Sequence, residues 1–291
     1  MADVATVNAQ SMAAAPAAHI VDVLIEERAP KLSRSALWPL VRPPLYGLLD
    51  YGKARAMADT IAPMGGREAL DFVSALLALE VEVSGLERLP ADGRCVVVAN
   101  HPTGIADGVA VYDALKGVRP DIIFYANSDA HRVCPRFDET LIPVEWVPAK
   151  RTRERTRLTL AMTRDALEAD RALTVFPAGR LARRGPDGLL TEPEWMPTAV
   201  SVALKYAAPV VPVHVEGPWA TLFHFFDRFS PELRDVTLFH ELLNKKGRRF
   251  RVIVGNPIAA EQLGTDATVA TAGLRTYVSR ILPIEPDRPF A

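Results

Sequence analysis

The strongest constraint on the fold lies between Cys95 and Gly108, where the chain reads Cys-Val-Val-Val-Ala-Asn-His-Pro-Thr-Gly-Ile-Ala-Asp-Gly. Val96, Val97 and Val98 form a short β-branched apolar run, which predicts a buried strand. The strand cannot continue through Pro102, which has no amide hydrogen, or Gly104, which tolerates φ > 0. Asp107 then opens an apolar-periodic segment, Val109 to Leu115, predicted as a helix. This strand–turn–helix unit puts a histidine at the carboxyl end of a core strand, the edge where open α/β sheets hold their chemistry. A neutral imidazole can take a proton from a hydroxyl or an amine, and a carboxylate on its other nitrogen fixes the tautomer. On one continuous helix His101 and Asp107 would face apart, but Pro102 and Gly104 favour a turn, and a turn can fold Asp107 back toward His101. The bland alternative is a satisfied histidine followed by a helix N-cap aspartate.

The remaining apolar runs extend the pattern. Strands are predicted at Val81–Val83, Asp121–Ala126, Ile142–Val147, Ala172–Phe176, Pro209–Val215 and Phe250–Val254. Pro143 and Pro148 make the third of these an edge strand. Helical periodicity separates them, at residues 67–79, 158–167, 198–207 and 266–282. Alternation of this kind predicts an α/β fold, a central mixed, largely parallel sheet flanked by helices, preceded by an N-terminal helical segment. The expected division is a disordered tail at 1–19, the helical segment at 20–79, and an α/β domain at 80–291.

Within that helical segment, prolines 39, 43 and 44 interrupt an aromatic-apolar stretch and prevent one long amphipathic helix. Six basic residues and one acidic residue, Asp50, lie between Arg28 and Arg55. Two readings stay open for it: an interfacial membrane contact, or a helical pair packed on the core with a solvated basic rim.

Three loops after predicted strands carry chemistry: His101, Lys150-Arg151 and Gly179-Arg180. The run from Lys150 to Arg157 holds five basic residues against Glu154 and suits a phosphate-bearing substrate, or is simply a solvated helix face. Arg180, Arg183 and Arg184 lie among Gly179, Gly185 and Gly188, which permits close approach to an oxyanion, or makes a basic surface loop. Phe223, Phe225, Phe226 and Phe229 form an aromatic patch, read as core, an acyl groove or a membrane face.

Composition excludes several classes. The 291 residues carry a formal net charge of −1, which argues against a nucleic-acid partner. Two cysteines, without metal-ligand spacing, exclude a disulfide framework and fit a reducing, cytoplasmic setting. No secretory signal and no run of about 18 apolar residues are found. No Gly-x-Ser-x-Gly motif supports a serine hydrolase.

Four motifs, in order over roughly residues 80–260, resemble the glycerolipid (lysophospholipid) acyltransferase family: Asn100-His101 with Asp107, Lys150-Arg151, Phe176-Pro177-Ala178-Gly179-Arg180, and Val211-Pro212-Val213. Two features depart from the common pattern. Five residues rather than four separate His101 from Asp107, and Ala178 stands where the family usually has Glu. Both departures, with Glu241-Leu242-Leu243-Asn244-Lys245, are similar to a branch of hemolysin-like proteins and ornithine-lipid acyltransferases. The resemblance implies transfer of a fatty acyl group from acyl-CoA or acyl carrier protein to a lysolipid or amino-lipid precursor, at the inner face of the membrane. His101 would be the base and Asp107 its partner, with Lys150, Arg151, Gly179 and Arg180 binding substrate. Backbone amides near Gly179 would steady the oxyanion, and no metal or nucleotide cofactor is implied. Two rivals remain: N-acylation of an amino acid such as ornithine, and a non-catalytic lipid-binding protein on this scaffold.

Overall fold

The structure, a computed structural model, describes residues 18–145, 151–184 and 190–290. In chain order the elements are helices α1 (Ile20–Arg28), α2 (Pro30–Ser33), α3 (Trp38–Leu48), α4 (Tyr51–Ile61) and α5 (Gly66–Leu77), then β1 (Glu80–Ser84), β2 (Cys95–Ala99), α6 (Ile105–Leu115), β3 (Ile123–Asn127), α7 (Asp129–Val133), β4 (Leu141–Val144), α8 (Arg153–Glu168) and β5 (Ala172–Val175). A two-residue hairpin, β6 (Arg183–Arg184) and β7 (Leu190–Thr191), follows. The chain ends with α9 (Thr198–Lys205), β8 (Val210–Glu216), α10 (Thr221–Asp227), α11 (Pro231–Asp235), α12 (Leu238–Leu243), β9 (Arg249–Val254) and α13 (Ala267–Thr276).

Seven strands form one sheet in the order β1-β9-β8-β2-β5-β3-β4. Strands β8, β2, β5, β3 and β4 are mutually parallel; β9 pairs antiparallel to β8, and β1 runs parallel to β9. The expected mixed, largely parallel sheet is therefore present, with β2 at its centre and the proline-bearing β4 at its edge. Strand β2 shows why a run of valines is needed there. Cys95, Val97 and Ala99 pack with the helices α1 and α3–α6 on one face, while Val96 and Val98 pack with α8, α9 and α13 on the other. Both faces are dry, so alternation disappears from the sequence. The Cys95 thiol is fully buried, and burial pushes its pKa up to about 11, which keeps it protonated.

Several elements begin or break elsewhere than expected. Helix α6 starts at Ile105, so Asp107 sits at the third position of its first turn rather than before it. Helix α8 starts at Arg153, inside the basic run, capped by the Thr152 hydroxyl on the Arg155 N–H. Pro43 and Pro44 are accommodated within α3; the break before α4 falls at Asp50, whose φ is +53°. His19, assigned to the tail, caps α1 by accepting the Val21 N–H. Residues 1–17, and the expectation that they form a tail, lie outside the described residues.

The N-terminal helices share the sheet's core. Val21, Leu24, Trp38, Leu45 and Met57 are buried in the same cluster as Val97. A polar knot joins them: Asp22 accepts from the Tyr46 and Tyr51 hydroxyls, at 2.9 and 2.8 Å, and from Arg42 at 3.1 Å. Burial, reinforced by Asp22, pushes both tyrosines above the usual phenol range. The opposite side of α3 remains in solvent, with Leu40 74% exposed. Among the described residues no helix is long and apolar enough to cross a membrane.

Candidate active site

Strand β2 ends at Ala99, and the next two residues set the site. The buried Asn100 side chain clamps β8, donating to the Val215 carbonyl at 2.9 Å and accepting the Val215 N–H at 2.6 Å. His101 follows at the carboxyl edge of five parallel strands, with its ring against Phe176 of the adjacent β5 turn, centroids 4.7 Å apart.

The turn brings Asp107 back. Gly104 takes φ +107°, a conformation that side chains rarely adopt, and a Cβ there would also crowd Leu181 at 3.1 Å. This places Asp107 over the start of its own helix, where it accepts the Thr103 N–H at 2.9 Å, the Gly104 N–H at 3.0 Å and the Thr103 hydroxyl at 2.5 Å. The positive end of the helix dipole favours a carboxylate at this position. Asp107 is fully buried and its Oδ2 lies 3.0 Å from His101 Nδ1. That distance is one of contact without an in-line hydrogen bond, so a small ring rotation is needed to align the pair. The ring is partly exposed while Nδ1 is buried, so its open part lies away from Asp107.

Glu192, directly after β7, was not singled out in the sequence. Its carboxylate accepts the backbone N–H of His101, and its other oxygen accepts the Trp195 indole N–H at 2.9 Å. Burial raises its pKa, against the lowering pull of those two donors. A lone Glu between Thr191 and Pro193 shows no local pattern that would flag it.

The Phe176–Gly179 turn closes by a bond from the Gly179 N–H to the Phe176 carbonyl, 3.0 Å, with φ +61° at Gly179. That amide is committed to the turn. A cavity of about 340 Å³ opens beyond, lined by Gly179, Arg180, Arg183, Phe223, Arg234 and Leu238 among others. Arg234 is paired with Asp227 and Asp235, both at 2.7 Å, and Arg28 on the same wall with Asp129 at 2.7 Å. Arg180 is exposed, and the buried Nε of Arg183 has no hydrogen-bond partner among the described residues. A larger cavity of about 1180 Å³, reaching Thr152, Arg155 and Leu158, shares Glu27, Asp129 and Glu145 with the first. Neither is lined by His101 among the described residues; the smaller one is lined by Leu181, which lies beside Gly104 of the His101–Asp107 turn.

The sequence candidates are thus partly reunited. His101, Asp107, Gly179 and Arg180 converge on neighbouring turns. Arg151 sits further along the same edge, exposed, with its Nε donating to the Glu145 carbonyl at 3.0 Å. Lys150 lies outside the described residues, as do Gly185 and Gly188. The Glu241–Lys245 motif proves to be a buried ion pair, 2.9 Å, that accepts the Phe223 N–H through Glu241 and donates to the Trp219 carbonyl through Lys245. It pins Phe223 in the cavity wall. Phe225 and Phe229, by contrast, are exposed.

The family profile named Acyltransferase matches residues 80–216, which span β1 to the end of β8 and contain the whole His101 turn. This match and the two relatives that follow support an acyltransferase, an enzyme that transfers acyl groups. Two relatives are named lyso-glycine lipid O-acyltransferase. The Phocaeicola vulgatus protein is 29% identical over 202 residues, covering 65% of this chain and 69% of its own length. The Bacteroides thetaiotaomicron protein is 28% identical over 210 residues, covering 69% and 75%. In this profile match and in these relatives the chain resembles the glycerolipid and lysolipid acyltransferases. The crystal structure of 1-acyl-sn-glycerophosphate (LPA) acyltransferase, PlsC, from Thermotoga maritima aligns over 91% of this chain and 99% of its own, at 15% identity and a TM-score of 0.47. The profile match and the two named relatives favour the catalytic reading over the non-catalytic lipid-binding one.

Proposed function

We propose that this enzyme moves a fatty acyl group from an acyl thioester, acyl-CoA or acyl carrier protein, to a hydroxyl of a lysolipid whose headgroup bears a carboxylate or phosphate. The observation that carries this reading is the approach of the buried Asp107 to His101 Nδ1 at the sheet edge. His101 takes the hydroxyl proton on its other nitrogen as the oxygen attacks the thioester carbonyl. The carbon–sulfur bond breaks, the imidazolium returns the proton to the departing thiolate, and an ester is left. Asp107 fixes the tautomer and stabilises the imidazolium. Arg180 and Arg183 hold the anionic headgroup, since the other arginines of that cavity already have carboxylate partners. Arg151 binds further along the same edge, and Lys150 keeps the substrate-binding role that its motif implies. The word O-acyltransferase in the names of both relatives favours a hydroxyl over an amine, and their lyso-glycine lipid favours a headgroup ending in a carboxylate.

The test offers labelled acyl-CoA and acyl carrier protein to lyso-amino-acid lipids, lysophospholipids, glycerol phosphate and ornithine. Ester formed on a lysolipid supports the reading; product with ornithine alone replaces it with N-acylation. Substituting both Arg180 and Arg183 by Ala is expected to raise the acceptor KM about tenfold, with kcat within about twofold. An unchanged KM removes the arginines from the headgroup site.

The same reading places the protein on the cytoplasmic membrane surface. The backbone amides of Lys31 and Leu32 donate to Glu232 at 3.0 and 2.8 Å, which makes α2 a neighbour of α11. Exposed Leu37 and Leu40 follow α2 along the chain, and exposed Phe225 and Phe229 lie in or just after α10, which packs on α11; Arg34 and Arg228 are also exposed. Apolar side chains with a basic rim suit the interface of an anionic bilayer. Leu40→Glu with Phe229→Glu should sharply reduce recovery with anionic liposomes in flotation; equal recovery would sink the docking face.

A further inference from the structure

Glu192 joins parts of the molecule that the reaction must keep in register. It follows β7, the second arm of the hairpin whose first arm begins at Arg183. Its carboxylate grips the His101 backbone N–H, at the point where β2 leaves the ladder. The buried Trp195 holds the second carboxylate oxygen, and the next residue, Met196, donates its N–H to the Pro177 carbonyl at 3.0 Å. Arg275 of α13 donates to the Glu192 carbonyl at 2.5 Å. One short segment is thus fastened to the end of β2, to the β5 turn and to α13. A charged acceptor makes the His101 bond stronger than a neutral one would be. The β5 turn itself carries no carboxylate, because Ala178 occupies it.

We propose that Glu192 is a positioning residue, tying the arginine-bearing hairpin to the backbone of His101 so that headgroup site and base stay in register. This rests on the roles given above to His101, Arg180 and Arg183. The Glu192 side chain reaches the base through backbone rather than by touching substrate. Small displacements of a base cost rate far more than affinity, about a hundredfold for roughly 1 Å.

The experiment compares Glu192→Ala, Glu192→Gln and Trp195→Phe in the full chain. Glu192→Ala should lower kcat by about 10- to 100-fold and leave the KM for the acyl thioester within about twofold. Glu192→Gln keeps a carbonyl oxygen for the His101 N–H and should recover most of that loss. Trp195→Phe, which leaves Glu192 in place, should give a smaller fall of the same type and serves if Glu192→Ala does not fold. Nitrogen-15 spectra of the His101 imidazole, assigned by loss of its signals in His101→Ala, should move in Glu192→Ala and not in Glu192→Gln. Wild-type kcat in Glu192→Ala, or equal impairment in Glu192→Gln with an unmoved imidazole signal, overturns the proposal. The imidazole signal needs no acceptor. If it moves while no acceptor is acylated even by the wild type, the fault lies with the reaction assigned to the protein. If His101→Ala abolishes transfer and Glu192→Ala does not change it, only the positioning role fails.

Discussion

A His101→Ala protein is expected to fold normally and to lose about three orders of magnitude in acyl transfer. General-base assistance is worth about 10²- to 10⁴-fold when the base is well placed, and a hydroxyl acceptor depends on it. In the proposed reaction the thioester supplies the driving force, but an undissociated hydroxyl attacks it slowly. The ring is partly exposed and stacks on Phe176 at 4.7 Å between centroids, so its removal thins one contact without opening the core. Circular dichroism should therefore match wild type. The loss should appear in kcat, with little change in the KM of either substrate, since the imidazole acts on the proton in flight rather than on bound headgroup. Turnover within threefold of wild type, from folded protein, would remove His101 from the base role.

Asp107→Asn is expected to damage both rate and stability. The rate should fall about 10³- to 10⁴-fold, because an amide can present the wrong atom to Nδ1 and cannot offset the imidazolium charge. The stability loss has a separate origin. Asp107 is fully buried and accepts three hydrogen bonds, from the Thr103 and Gly104 amides and the Thr103 hydroxyl. An amide nitrogen placed at Oδ2 would meet two N–H donors and leave them unsatisfied, at a cost of about 2–4 kcal/mol. Denaturant melts should show that loss, and Asp107→Ala should be worse because it also leaves a void. His101→Ala provides the contrast, since it lowers rate with its stability nearly intact. An Asp107→Asn protein as stable as wild type would mean the turn is not held by this carboxylate.

The two predictions show how much of the site was readable along the chain. Strand β2 was legible because burial on both faces leaves composition as the signal: every residue from Cys95 to Ala99 is apolar and every one is buried. The edge position of β4 was legible from Pro143, because an edge strand can lack a ladder donor. His101 and Asp107 were both identifiable as candidates from residue type and place. Their pairing was expected from the Pro102–Gly104 turn and from the family resemblance, but the backbone geometry that produces it was not. It depends on Gly104 at φ +107°, which turns the chain so sharply that the third residue of the helix lies over the strand end.

What the sequence by itself determined was the alternation of elements, the dry faces of the sheet and the residue types at its carboxyl edge. These follow from local chemistry: β-branched runs, helical periodicity, and prolines or glycines where a strand must stop. Only the tertiary structure decided which of those residues meet. Glu192 reaches the His101 amide across 91 positions of chain, and Asn100 reaches Val215 across 115. Glu241 and Lys245, legible only as part of a family motif, acquire a purpose where their buried ends meet the Trp219–Phe223 segment. No local propensity encodes such partners, because each is chosen by the sheet order that sets β2 between β5 and β8. A polar group drawn into that interior must find its hydrogen bonds wherever the packing leaves them, however far away in sequence.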